Sequence, residues 1–421
     1  MRVLLDISWL GLGYLYRESR SGSFRALREL AAGLQRTGEC DLLFCANLSS
    51  VAFSGSAEYL RTDPALAGVP LVGPATPAAS GIGRAARRVH RTLRAWFPNQ
   101  AMPGVLRSGA RVLDQRIHPP VSDATPGADV FHSTGAPLPP LRPGSPPRLL
   151  TVYDVVHPRY AELYDGHRAQ SIGVSLGSLG PDDRLITTSL ATRDDIVEMG
   201  IAPADRISVV PLAADPGLFF PCTDAARQDA VRVRLGIPPG PYLLTLGLLD
   251  VRKNVEAAVE AFTRLVVQEG CRDLSLVVAG PAGSGTAGVE RAVAEARARG
   301  ARVVMPGFVP DEELAALYSG ALGFVFPSLH EGFGIPPLEA MQCGAPVIAS
   351  NRSSIPEVVG GAALVVDPQD ADALCHAMYR LYRDGALRED LRARSLARAA
   401  RFSWDRTAAE TLAAYRAAIA A

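Results

Sequence analysis

Ser328-Leu329-His330-Glu331-Gly332-Phe333-Gly334-Ile335-Pro336-Pro337-Leu338-Glu339-Ala340-Met341 directly follows the apolar run Gly323 to Pro327. The run predicts a buried strand and the glycines a turn. From Ile335 a helix is expected, with Pro336 and Pro337 in its first turn, where a missing amide hydrogen costs little. The amides of that helix start face the turn, and with the helix dipole they favour an anion such as a diphosphate. Gly332 and Gly334 let a ligand approach the backbone closely. Glu331 stands before the helix and Glu339 within it, so two carboxylates border the anion site. Acids repel phosphate, so their partners are sugar and ribose hydroxyls, held by charge-assisted hydrogen bonds. A plain turn with solvated glutamates is the alternative. The crowding of glycines, prolines and spaced acids into so short a stretch speaks against it.

Upstream, Gly247-Leu248-Leu249-Asp250-Val251-Arg252-Lys253-Asn254 lies between a predicted strand, Tyr242 to Gly247, and a helix beginning near Val255. Two adjacent cations thus stand at the carboxyl end of a strand, where open α/β sheets place their ligands. Arg252 grips phosphate with a planar fork and Lys253 as a point charge. Alone the pair is weak evidence, because loop cations are usually just solvated. Beside the anion site it becomes specific.

Around these junctions short apolar runs alternate with amphipathic stretches, which predicts parallel strands joined by crossover helices. In the first half the strands are Arg2 to Ile7, Asp41 to Ala46, Asp129 to His132, Arg148 to Val152, Arg184 to Thr188 and Ile207 to Val210. In the second half they are Tyr242 to Gly247, Leu274 to Ala279, Arg302 to Met305, Gly323 to Pro327, Val347 to Ala349 and Ala363 to Val366. A chain of 421 residues exceeds what one hydrophobic core usually supports, so each half is expected to carry its own sheet. The boundary falls between Pro211 and Pro241, where Pro, Asp and Gly interrupt the pattern. This gives a first Rossmann-like domain over 1–215, a second over 236–403, and a final helix over 404–421 that is a candidate to return to the first domain.

The 43 basic side chains balance the 43 acidic ones, so no global field points to nucleic acid. Cys40, Cys45, Cys222, Cys271, Cys343 and Cys375 are scattered, with no C-x-x-C pair or nearby histidine cluster to suggest zinc or a disulfide framework. Met1 to Ile7 meets an acid at Asp6 and reads as a buried strand, unlike a secretory signal. No window approaches roughly 18 uninterrupted apolar residues. The expected location is the cytoplasm.

One segment breaks the regularity. Val72 to Thr125 is rich in Pro, Gly and Ala and holds Arg84, Arg87, Arg88, Arg91, Arg94, Arg107, Arg111 and Arg116 against Asp114 and Asp123. Within it Ile82, Ala86, Val89, Leu93 and Trp96 recur at helical spacing, which predicts a basic amphipathic helix. A solvated surface helix is one reading. The other is a surface that meets anionic lipid headgroups or an acceptor's diphosphate, placing the protein peripherally on the inner face of a membrane.

In its motifs the chain resembles glycosyltransferase family 4, a group of retaining enzymes of GT-B fold that includes bacterial mannosyltransferases. The matching residues are Glu331-x7-Glu339 with its glycine-proline core, Cys343-Gly344-Ala345-Pro346-Val347-Ile348-Ala349-Ser350, the Arg252-Lys253-Asn254 turn, and Gly307-Phe308-Val309-Pro310 with Asp311-Glu312-Glu313-Leu314 after it. In the first half they are Thr188-Ser189 and Val209-Val210-Pro211. The resemblance implies two Rossmann-like domains whose parallel sheets face a central cleft, with the donor site in the second. Arg252 and Lys253 would bind the donor diphosphate and act in catalysis. Glu331 would engage the transferred sugar with the backbone of Gly332, Phe333, Gly334 and Ile335, Glu339 would hold the ribose, and Phe308 and Val309 would lie near the nucleobase. Gly22, in Arg20-Ser21-Gly22-Ser23-Phe24-Arg25, resembles the glycine loop that opens the family's first helix and faces the phosphates.

The chain departs from the pattern at Tyr153-Asp154, where many relatives carry His-Asp. Tyr is a neutral donor at pH 7 and acts only through its hydroxyl. Asp154 keeps the carboxylate and is read as catalytic, the pair lying on the acceptor side. A strand-end aromatic and a helix cap are the alternatives. His157 and His132 are weaker candidates.

The resemblance implies transfer of a sugar from a nucleotide diphosphate sugar, GDP-mannose or a related GDP-sugar being the best match, to a saccharide or polyprenyl-linked acceptor in bacterial surface polysaccharide synthesis. Departure and attack would share one face of the sugar, with Arg252, Lys253 and the helix start stabilising charge on the leaving diphosphate. That scheme calls for no metal and no cofactor beyond the co-substrate. A sugar-nucleotide epimerase of the same fold and a silent nucleotide- or sugar-binding scaffold are the alternatives. A dehydrogenase is disfavoured, because Gly11-x-Gly13 lacks the third glycine of the dinucleotide fingerprint.

Overall fold

A computed structural model describes residues 1–15, 22–73, 127–141, 143–156 and 172–421. His157 and the basic segment beyond Gly73, up to Thr125, lie outside the described residues. The rest forms two six-stranded sheets, parallel throughout.

The first sheet holds β1 (Arg2–Asp6), β2 (Asp41–Cys45), β3 (Val130–Ser133), β4 (Arg148–Val152), β5 (Arg184–Thr187) and β6 (Ile207–Val209), in the order β2-β1-β3-β4-β5-β6. The second holds β7 (Tyr242–Leu246), β8 (Ser275–Ala279), β9 (Arg302–Gly307), β10 (Gly323–Phe326), β11 (Val347–Ser350) and β12 (Leu364–Val366), in the order β12-β11-β10-β7-β8-β9. Helices cover both faces of a parallel sheet, so its inner strands read as unbroken apolar runs. Leu276-Val277-Val278-Ala279 of β8 is such a run, buried throughout.

Each run read as a strand from the sequence forms one, with ends displaced by a residue or two. β9 was expected to stop at Met305 and continues to Gly307, because the register shifts between Val277 and Ala279 and the Gly280 amide donates to the Gly307 carbonyl at 2.8 Å.

Strand order reverses between β1 and β3 in one sheet and between β7 and β10 in the other. At such a point the two outgoing loops diverge and open a crevice at the carboxyl ends. The loops after β7 and β10 are the cation turn and the glycine-proline motif.

The helix Ala225–Arg234 joins the sheets, and its Val231 packs with Tyr242 and Tyr318 in the second core. The last helix, Trp404–Ile419, lies against the first sheet, with Ala408, Leu412, Tyr415 and Ala418 buried among Leu27, Leu149 and Ile186. Its Tyr415 hydroxyl meets His132 Nδ1 at 2.7 Å, while Thr151 Oγ1 meets Nε2 at 2.7 Å. A neutral imidazole has one donor and one acceptor, so the two hydroxyls fill complementary roles. Burial pushes the His132 pKa down to about 3. His132 is therefore a core residue. Among the described residues no helix is long and apolar enough to cross a membrane.

Candidate active site

The turn after β7 is built by Asp250, whose side chain accepts from the Arg252 amide at 3.2 Å and starts a short 3-10 turn over Val251–Lys253. Asn254 then takes a left-handed conformation, φ 53°, which Asn tolerates better than most side chains, and the helix Val255–Glu269 begins. The Arg252 carbonyl accepts from the Leu329 amide at 2.8 Å and lies 3.0 Å from Ser328 Oγ. The two loops are thereby stitched together at the switch point.

Glu331, 5% exposed, receives both cations: Arg252 Nη1 donates to Oε2 at 2.7 Å and Lys253 Nζ to Oε1 at 2.6 Å. Ser328 Oγ donates to Oε1 at 2.6 Å. Burial alone would raise the carboxyl pKa, but Arg252 and then Lys253 overcome it and hold it at about 2. Burial likewise lowers the Lys253 pKa, with Glu331 opposing. The sequence reading assigned the cations to phosphate and Glu331 to sugar. The structure joins all three in one cluster, because a buried carboxylate without a counter-charge does not stay ionised. An incoming diphosphate would compete with Glu331 for the same cations.

Past Glu331 the chain turns through Gly334 at φ 104°, a conformation suited to glycine, into the helix Ile335–Gln342. Pro336 and Pro337 leave Ile335 the only amide hydrogen in its opening turn. Among the described residues nothing accepts from the amides of Gly332, Phe333 and Gly334. These donors face a cleft of about 400 Å³.

Glu339 is 3% exposed and accepts from Tyr318 at 3.3 Å and from Arg25 Nη1 at 3.3 Å. Burial raises its pKa, against the pull of Arg25. Arg25 crosses from the helix Gly22–Thr37 of the first domain and also lies 4.0 Å from Asp311. Sequence reasoning gave Arg25 no role. A cation in the first turn of a helix, where the dipole disfavours it, was the signal available.

Every residue given a donor, acceptor or catalytic role from the sequence lines this one cleft, from Gly22 and Tyr153 on one side to Phe308 and Glu339 on the other, whereas the weaker candidate His132 does not. Phe308 stands 68% exposed at the rim. Val309 is buried in the second core at the edge of the cleft. Asp154 Oδ1 accepts from the Val156 amide at 3.2 Å, the capping role weighed as its alternative, while still lining the cleft near Arg252. Thr188, Ser189 and Thr192 were not assigned a role, yet all three hydroxyls reach the Gly332 carbonyl.

Residues 228–398 match the sequence model of glycosyl transferases group 1. Over that stretch the chain is similar to the group 1 glycosyl transferases. The chain is 36% identical over 239 residues to O-antigen chain mannosyltransferase B of Escherichia coli, a match covering 57% of this chain and 62% of that protein. It is 35% identical over 246 residues to a D-inositol 3-phosphate glycosyltransferase of Acidothermus cellulolyticus, covering 56% and 54%. The chain thus spans between half and two thirds of the length of either relative. The structure of a sucrose-phosphate synthase from Thermosynechococcus elongatus superposes with a TM-score of 0.67 at 22% identity, covering 100% of this chain and 99% of that one. The fold is GT-B, two doubly wound sheets flanking a cleft. The matched stretch contains both the cation turn and the glycine-proline motif, whereas Gly22, Tyr153, Asp154 and the three hydroxyls lie before it.

Proposed function

We propose that the protein transfers a sugar, with retention, from a nucleoside diphosphate sugar in the interdomain cleft to a hydroxyl of a saccharide or lipid-linked saccharide. The observation that carries this is the buried pairing of Glu331 with Arg252 and Lys253 at the mouth of the helix Ile335–Gln342. The two cations and the unpaired loop amides supply the donors for a diphosphate, with Glu331 as the carboxylate it would displace. As diphosphate takes up the cations, Glu331 is released towards the sugar hydroxyls. Charge then develops on the departing phosphate oxygen, where Arg252, Lys253 and the loop amides are already in place and stabilise it.

Kinship with an O-antigen mannosyltransferase supports GDP-mannose as the donor and a growing surface polysaccharide as the acceptor. The basic stretch between Arg84 and Arg116 is where an anionic bilayer or an acceptor's diphosphate would be met, and binding to anionic vesicles at low salt tests it. A panel of nucleotide sugars, read by thermal stabilisation and by slow donor hydrolysis, tests the donor. GDP-mannose is expected to lead, and NMR of the product should show the anomeric configuration retained. A donor that is isomerised rather than hydrolysed or transferred would identify an epimerase instead.

A further inference from the structure

Three consecutive carbonyls of the donor loop are held in two different ways. Those of Glu331 and Phe333 are held by their own domain: Ser353 Oγ donates to Glu331 O at 2.6 Å and Ser354 Oγ to Phe333 O at 2.8 Å, with Glu331 O also 2.9 Å from Ser354 Oγ. The carbonyl between them, that of Gly332, is held by the first domain. Ser189 Oγ stands 2.6 Å from it, and Thr188 Oγ1 and Thr192 Oγ1 each 3.1 Å. All three hydroxyls are buried. A carbonyl has two lone pairs, and Thr188 also lies 3.2 Å from Tyr153 O, so Ser189 is the firm donor and the threonines share what remains.

The same short helix, Leu190–Glu198, is keyed to the second domain twice more. Glu357 accepts from the Leu190 amide at 2.8 Å and the Ala191 amide at 2.7 Å, filling the helix's open N-terminus from across the cleft. His330 Nε2 meets Asp195 Oδ2 at 2.9 Å. Gly332 itself fits only as glycine: a Cβ there would stand 1.8 Å from Tyr153 O and 2.7 Å from Asp154 Cβ. The domains therefore meet backbone to backbone at the donor loop.

In a planar trans peptide the amide hydrogen points opposite to the carbonyl oxygen. Fixing the Gly332 carbonyl against the first domain consequently turns the Phe333 amide towards the cleft, and hydroxyls on the carbonyl polarise that amide further. We infer that Ser189, Thr188 and Thr192 are positioning residues that aim the Phe333 amide at the donor across the domain boundary, so that the loop is set for transfer only while the two domains are docked. This rests on the transferase reading above. Free nucleoside diphosphate, bound mainly through the second domain, needs the trio less than the transfer step does.

The test uses the full chain and three substitutions that remove a hydroxyl with little change of shape: Thr188→Val, Thr192→Val and Ser189→Gly. Glycine keeps most of the N-cap that Ser189 gives its helix. GDP affinity is read by calorimetry, and kcat and KM with GDP-mannose, with UDP-glucose in parallel. The expected result for the triple variant is a kcat lower by roughly 10- to 100-fold with GDP affinity within about threefold of wild type. Ser189→Thr, which restores a hydroxyl and a cap, should recover most of the rate. A triple variant with wild-type kcat overturns the inference, as does one whose GDP affinity falls as far as its kcat. Wild-type protein that turns over neither sugar nucleotide fails differently, by removing the transferase reading beneath it.

Discussion

The two sheets approach the cleft by different chemistry. From the second domain come charge and a helix start: Arg252, Lys253 and Glu331 sit in one buried cluster, drawn from two loops that flank a single switch point. From the first, beside Arg25 and Asp154, come hydroxyls and main chain: Thr188, Ser189 and Thr192 where β5 runs into its helix, and the Tyr153 carbonyl at the end of β4. Charge placed by two contiguous motifs suits a ligand shared across many enzymes. Hydroxyls carried on one strand end suit adjustment of loop geometry without changing the net charge of the site.

That contrast is open to breakage. Largest should be the effect of Lys253→Ala, which leaves Glu331 with one cation fewer in a buried place. It also removes a charge-assisted contact to the leaving phosphate, worth about 1.5 to 3 kcal/mol, so turnover should fall by roughly 10- to 100-fold. Tyr153→Phe on the opposite wall should cost less than ~10-fold, and steady-state kinetics that reverse this order would erase the distinction. Next, Glu331→Gln frees both cations of their carboxylate. Turnover should fall while affinity for GDP stays level or tightens, and a large loss of GDP affinity in calorimetry would mean that Glu331 organises the phosphate site rather than competing with it.

Acid stability separates the domains as well. His132 in the first core has a folded pKa of about 3 against 6.5 when unfolded, so the unfolded chain takes the proton first. Its contribution is complete above pH 6.5 and lost as pH falls towards 3, up to ~5 kcal/mol at about 1.4 kcal/mol per pKa unit. Glu331 has a folded pKa of about 2 against 4.5, so its contribution is complete above 4.5 and lost only as pH falls towards 2. Between pH 6.5 and 4.5 the histidine therefore weakens the protein and this carboxylate does not. Urea midpoints measured across that range should fall in wild type and flatten in His132→Gln. Smallest is Phe308→Ala: an exposed ring at the rim should leave stability within ~0.5 kcal/mol and weaken nucleoside affinity a few-fold.

How much of this was legible follows the same division. Inner strands of the parallel sheets announce themselves because both faces are buried, and the cation turn and glycine-proline motif can be read because each is one unbroken stretch. β9 was read short because its extension passes through an irregularity, where three steps of β9 match two of β8. Arg25 meeting Glu339, Glu357 capping a helix of the other domain, and Tyr415 closing on His132 join positions 314, 167 and 283 residues apart, which no local period encodes. The partnership of Glu331 with Arg252 and Lys253 was missed for a related reason: each side had been given a ligand partner before the distance between the loops was known.

On the function proposed above, Arg252 and Lys253 hold the donor diphosphate in this cleft. The most direct test is a calorimetric titration of GDP into wild type and into the double variant Arg252→Ala/Lys253→Ala, with folding checked by circular dichroism. Each charge-assisted contact is worth about 1.5 to 3 kcal/mol, so the variant should bind at least ~100-fold more weakly. A folded double variant that binds GDP as wild type does would contradict the account.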